Sequence, residues 1–160
     1  MDQKILDQQS QHWEKSFSSK PEMFGLEPSF SAKIALEKFK KNNVKHIIEL
    51  GAGLGRDSTA IETIKNKSIN LGISDFIHTQ VHDLRKKLNF KEDSFEGCYS
   101  HMLYCMAFTH SEIENLNDEI CRVLKKEAIN IYTVRNYTDA DYTKGIHRGE
   151  DLYEMNGYIV

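Results

Sequence analysis

The stretch from Val44 to Gly55, VKHIIELGAGLG, constrains the fold more than any other part of the chain. Val44 to Leu50 is short and rich in β-branched residues, the composition of a strand buried in a parallel sheet. It runs directly into Gly51, Gly53 and Gly55. Arg56 to Leu71 then has helical character, with Ala60, Ile61, Ile64, Ser68 and Leu71 along one side and Gly72 as a stop. Strand, glycine turn and helix in that order let a backbone bend sharply and come close to a ligand, with the free N–H groups of a helix start beside it.

Further strand and helix patterns alternate along the chain. Met1 to Phe17 is a polar helix candidate with Ile5, Trp13 and Phe17 as its apolar positions. Phe30 to Lys41 carries Phe30, Ile34, Ala35, Leu36 and Phe39 at helical spacing, with Ser29 or Ser31 as its cap. Ile77 to Val81, closed by His82-Asp83-Leu84, is the second strand candidate. Gly97 to Met102 is the third and Ile129 to Val134 the fourth. A helix is expected from Met106 to Leu124, and Arg135 to Gly149 reads as a polar surface loop. The expected architecture is α/β: a Rossmann-like, doubly wound, mostly parallel sheet with helices on both faces. One domain should cover residues 1–160, with N-terminal helices over 1–41 and a ligand-binding core over 44–160.

Composition narrows the class. Hydrophobic residues make up 39% and charged residues 28% of 160, which is globular. No run approaches the roughly 18 apolar residues needed to cross a bilayer, and the polar N-terminus resembles no targeting peptide. The net charge is −3 and the basic pairs are broken up by acids, so neither a nucleic-acid partner nor a membrane partner is expected. Cys98, Cys105 and Cys121 form no Cys-x-x-Cys and read as small buried hydrophobes of a cytoplasmic protein. His78, His82, His101, His110 and His147 make no tight pair on a helix, so no metal is expected.

The glycine spacing discriminates between ligands. A dinucleotide fingerprint would place its third glycine at position 56, where this chain has Arg56. That disfavours a nicotinamide-dependent oxidoreductase. Glu49-Leu50-Gly51-Ala52-Gly53-Leu54-Gly55 instead resembles motif I of the class I S-adenosylmethionine-dependent methyltransferases. The resemblance continues through His82-Asp83-Leu84, Leu88-Asn89-Phe90, Asp93 to Gly97, Ser100-His101-Met102, and Arg122 to Lys125 followed by Ile129 to Val134. It covers roughly Trp13 to Val134 and is similar to small, tellurite-resistance-like methyltransferase domains. It implies that S-adenosylmethionine binds on Glu49, Gly51, Gly53 and Gly55, with Asp83, Leu84 and Ser100 also lining its site and S-adenosylhomocysteine as product. The methyl acceptor would be a small molecule, and the protein a monomer or homodimer. His147, Arg148 and Glu150, in the polar stretch after the last strand, are the candidate substrate contacts. The resemblance assigns no catalytic residue; if the acceptor is a thiol, a selenide or another soft nucleophile, no dedicated base is needed.

The chain departs from the family in four places. Between motif I and the His82-Asp83 strand the family has one more strand–helix unit than this chain has room for. The acid that would hold the ribose has no clear occupant. Asp75 lies at a suitable distance from Gly55, yet a strand ending there leaves no crossover before Ile77. A segment near Ser58 to Glu62 is either unrepresented in this chain or truly deleted. The family's C-terminal strand pair also looks absent, and Lys126-Glu127-Ala128 replaces its glycine pair. A non-catalytic binding or scaffold protein of the same fold is therefore the alternative. Trp13, Phe17, Met23 and Phe24 are candidates for an N-terminal lid.

Overall fold

The computed structural model describes residues 15, 19, 27–52, 69–70, 72, 74–155 and 158–159. The helix expected over Met1 to Phe17, the lid residues Trp13, Phe17, Met23 and Phe24, both Gly53 and Gly55, and the Ser58 to Glu62 segment lie outside these residues, as does most of the helix expected over Arg56 to Leu71.

Helix α1 spans Phe30–Lys41, as its periodicity predicts. The Ser29 hydroxyl accepts the Ala32 N–H at 3.1 Å, satisfying one of the donors that a helix start leaves open. Lys38, Lys40 and Lys41 occupy the last turn, where cations complement the helix dipole. Ala35 and Phe39 face inward and pack with Tyr99, Val44, Ile129 and Ile131.

Three strands, β1 (Ile47–Leu50), β2 (Phe95–His101) and β3 (Leu124–Thr133), form a parallel sheet in the order β1-β2-β3. The middle strand is buried from Gly97 to Ser100, as befits a strand covered on both faces. Gly97 and Tyr99 meet α1, whereas Cys98 packs with Ile48, Leu50, Leu116, Ile120 and Val123 on the other face. Gly97 is where α1 comes closest. A Cβ there would lie 2.8 Å from Phe39 Cε1 and 3.0 Å from Val44 Cγ1.

Helix α2, His110–Val123, covers the second face, so helices lie on both sides of the sheet as expected. It begins four residues later than the apolar pattern suggests, because Thr109 closes a full capping box with Glu112. A 3₁₀ turn, Leu103–Cys105, takes up the intervening chain. The helix passes into β3 without a loop, so β3 begins at Leu124 rather than Ile129. Lys125 to Ala128 bulge out of register, since Phe95 pairs with Leu124 and Gly97 next with Ile129. Glu127 sits there at φ 65°, a left-handed conformation that costs an L residue energy.

Three sequence expectations are corrected. Ile77 to Val81 forms no strand; it is extended chain after a 3₁₀ turn at Ser74–Phe76. Ile77 and Val81 are 38% and 86% exposed, and no described strand pairs with this run. The C-terminal region does not lack strands. β4 (Ile146–Gly149), β5 (Leu152–Met155) and β6 (Tyr158–Ile159) make an antiparallel sheet separate from the parallel one. The surface loop expected over Arg135 to Gly149 therefore ends at β4, because Leu152 and Ile159 find a buried partner in Ala107.

Two carboxylates tie these elements together. Glu96 accepts the backbone N–H groups of Lys45 (2.7 Å) and His46 (3.3 Å), and the Lys125 ammonium (3.0 Å), which links the starts of β1 and β3 across β2. Glu119 accepts the Leu88 N–H and pairs with Arg122, whose guanidinium also donates to the carbonyls of Leu88 and Phe90. Among the described residues no helix is long and apolar enough to cross a membrane.

Candidate functional site

The carboxyl ends of the three parallel strands reach one edge of the sheet, at Gly51, Met102 and Val134. Open α/β sheets bind ligands at that edge. Gly51 leaves β1 at φ 71°, and a Cβ on it would lie 2.9 Å from Leu103 Cδ1. The left-handed backbone favours glycine there, and any side chain would also have to displace the tip of Leu103. Met102, at the end of β2, is also left-handed at φ 59°. Its N–H donates to the Thr133 carbonyl at 3.1 Å and to Thr133 Oγ1 at 3.0 Å.

Strand register sorts the candidate residues onto two faces. Glu49 pairs with Tyr99, and His101 pairs with Thr133, all on the α1 side. Ser100 lies on the α2 side and is 1% exposed, so it belongs to the packed face rather than to that of Glu49. Cys98, beneath it, has its thiol pushed up to about 12 by burial and by the negative charge of Glu49. It is a packing residue.

On the α1 face a chain of hydroxyls converges on the His101 imidazole. His101 Nδ1 lies 2.8 Å from Thr133 Oγ1 and 3.1 Å from Ser31 Oγ. Ser31 Oγ lies 3.1 Å from the Tyr99 hydroxyl, which is 3.3 Å from Ser29 Oγ. The first turn of α1 is thereby pinned to the ends of β2 and β3. Sequence reasoning placed Ser29 and Ser31 only as caps and missed Tyr99 and Thr133. The period-2 alternation of β2 and β3 is the signal that puts Tyr99, His101 and Thr133 on one face.

Asp83 lies in a turn, where the Arg85 guanidinium donates to Oδ1 at 2.9 Å and to Oδ2 at 3.1 Å. That pairing holds the Asp83 carboxyl below its ordinary value. Leu84 packs against the core cluster of Leu50 and Leu103, the residue that touches Gly51. Nearby, Thr79 Oγ1 and His82 Nε2 are buried without a hydrogen-bond partner. Asp75 is exposed in the 3₁₀ turn and ends no strand.

The C-terminal candidates are engaged within their own region. Arg148 pairs with Glu154 across the β4–β5 hairpin, and His147 packs on Tyr153 with ring centroids 5.0 Å apart. Glu150 accepts the His110 N–H at 2.7 Å, at the start of α2. The structure thus brings Glu150 to the helix that follows β2 and leaves His147 and Arg148 on the exposed β4 strand. Among the described residues no group of three or more His, Cys, Asp or Glu side chains is placed to hold a metal ion.

The chain matches no model of a known protein family and no curated protein.

Proposed function

We propose that this chain is a cytoplasmic methyltransferase-like domain that binds S-adenosylmethionine at the carboxyl edge of its parallel sheet. The observation that carries this reading is Gly51, left-handed at φ 71°, at the end of β1 with Glu49 two residues before it. Side by side, β1, β2 and β3 match positions 1, 4 and 5 of the doubly wound strand order 3-2-1-4-5-6. A Rossmann-like sheet missing one strand–helix unit is consistent with that order.

The described residues fit such a ligand in part. Gly51 lets the chain leave β1 in a left-handed turn, and His82 Nε2 and Thr79 Oγ1 are buried, unpartnered polar atoms on the segment that leads to Asp83. Glu49 would hold the amino end, with Gly51, Gly53 and Gly55 along the methionine and ribose. Asp83 and Leu84 extend the proposed site, whereas the sequence candidate Ser100 is packed away from it; His147, Arg148 and Glu150 remain the proposed contacts of a small-molecule acceptor. When bound, the cofactor supplies an electrophilic methyl group on sulfur. The chain's own task is to orient the two reactants and exclude water, which can provide much of the rate in an in-line displacement. The protein is proposed to act as a monomer or homodimer, without nucleic acid, membrane or metal.

A second reading, a non-catalytic binding protein of the same fold, is favoured by Asp75, which is exposed rather than poised for a ribose, and by Asp83, which is already paired with Arg85. Calorimetric titration with S-adenosylhomocysteine separates the two. Heat with a Kd in the micromolar range, roughly −8 kcal/mol, supports the enzyme. No heat at about millimolar ligand, near −4 kcal/mol, supports the binding protein.

A further inference from the structure

We infer that a cleft at the amino edge of the parallel sheet binds a small zwitterion with an aliphatic body, such as a free aliphatic α-amino acid. Lys126 takes its carboxylate, Glu127 its ammonium, and Val44, Ala128 and Ile129 its apolar part. The cleft lies at the opposite end of the strands from Gly51, so it does not depend on the methyl-transfer reading.

The cleft opens between the turn that joins α1 to β1 and the start of β3, with Glu96 of β2 between them. Its volume is about 240 Å³. That is below the roughly 300–1,000 Å³ that holds a drug-sized ligand, so its occupant is small. The bulge of β3 makes one wall. Successive side chains of a regular strand point to opposite faces, and every second residue would turn away. Here Lys125 to Ala128 leave the register, Glu127 is left-handed at φ 65°, and Lys126, Glu127, Ala128 and Ile129 all line the same cleft. A left-handed glutamate costs energy, and strain of this kind collects at ligand sites.

Most of the other polar groups in the cleft are already engaged. Lys125 donates to Glu96 at 3.0 Å, and Glu96 also accepts the Lys45 and His46 N–H groups. The Asn42 amide nitrogen donates to the Lys38 carbonyl at 2.8 Å. Lys126 and Glu127 have no ion-pair or hydrogen-bond partner among the described residues. They offer a ligand one ammonium and one carboxylate, beside the half-buried side chains of Val44, Ala128 and Ile129. A simple anion would be repelled by Glu127 and a simple cation by Lys126, whereas a zwitterion meets an opposite charge at each end. The Lys126 ammonium donates to the ligand's carboxylate, and the ligand's ammonium donates to Glu127. Both protein charges are exposed, so each pairing contributes little and the Kd should lie at roughly 0.1–5 mM.

The test titrates the isotope-labelled full chain with L-leucine and follows its amide NMR shifts. Saturable shifts should centre on Asn43, Val44 and Lys126 to Ile129. Leucinamide lacks the carboxylate, N-acetyl-leucine lacks the ammonium, and glycine lacks the aliphatic body. Each should bind at least about threefold more weakly than leucine. Two variants then assign the charges. Lys126→Met should lose most of the preference for leucine over leucinamide, and Glu127→Gln most of that over N-acetyl-leucine. Each removes the partner of the group that the analogue lacks.

No saturable shift up to about 50 mM leucine overturns the proposal, as do shifts centred on the carboxyl edge or analogues that bind as well as leucine. Variants that keep both preferences overturn it too. The analogue series is measured on wild type, so it decides the matter even where a variant fails to fold. Neither result bears on S-adenosylhomocysteine binding, which is read at the opposite edge.

Discussion

At position 51 a methyl group would meet two separate obstacles, the left-handed backbone and the Leu103 side chain. Gly51→Ala should therefore destabilise the fold by about 1–3 kcal/mol, read from urea midpoints, and weaken S-adenosylhomocysteine binding further. Glu127 is the reverse case. It holds φ 65° at the bulge that opens β3. Releasing a left-handed L residue gains about 1–2 kcal/mol, and glycine's extra chain entropy takes back about 0.5–1. Glu127→Gly should thus stabilise by about 0.5–1 kcal/mol, and an unchanged or lowered midpoint counts against the strain argument. Gly51 was legible in the sequence because a glycine directly after a buried strand has few other uses. The hydroxyl cluster at His101 was not. Ser31 and His101 are 70 residues apart and Thr133 and His101 are 32 apart, so only the tertiary fold brings them together.

Each element owes its limits to a different local cause. Helix α2 starts where Thr109 and Glu112 cap each other's backbone, and Thr109→Ala should cost about 1 kcal/mol of stability by thermal or urea unfolding. The same helix start receives the Glu150 carboxylate from the β4–β5 turn, where Glu150 and Asp151 are both left-handed. Glu150→Gln should raise hydrogen exchange in β4 and β5 several-fold while β2 stays protected, since only the docking contact is weakened. Uniform exchange across both sheets would contradict this. Amphipathic spacing made α1 and α2 readable, and β-branched runs did so for β1 and β3. Ile77 to Val81 shows the limit of such reading. Its composition is that of a strand, but a strand also needs a neighbour, and neighbours are a property of topology. The separate C-terminal sheet was missed because polar residues fill β4, while the burial that fixes the sheet comes from Leu152, Ile159 and Ala107.

Among the described residues, Glu96 and Glu119 make the fold sensitive to acid. Hydrogen bonds from the Lys45 N–H and the Lys125 ammonium hold the Glu96 carboxyl at about 2, and the Arg122 guanidinium holds Glu119 at about 2. Both lie below the ordinary 4.5, so the unfolded chain binds more protons as pH falls between these values. Their stabilisation is fully present above about 4.5 and lost toward about 2. Urea midpoints taken down this range should fall steeply for wild type and less so for the Glu96→Gln/Glu119→Gln double variant. The direct passage of α2 into β3 has a kinetic consequence as well. From Phe95 to Thr133 the chain builds two paired strands and their covering helix from near neighbours, whereas β1 must close a loop from Leu50 to Phe95 before it can pair. Loop closure is the slow term in folding rates, so the β2–α2–β3 unit should organise first. Leu116→Ala should then slow refolding, Ile48→Val should mainly hasten unfolding, and the arms of a denaturant chevron would distinguish the two.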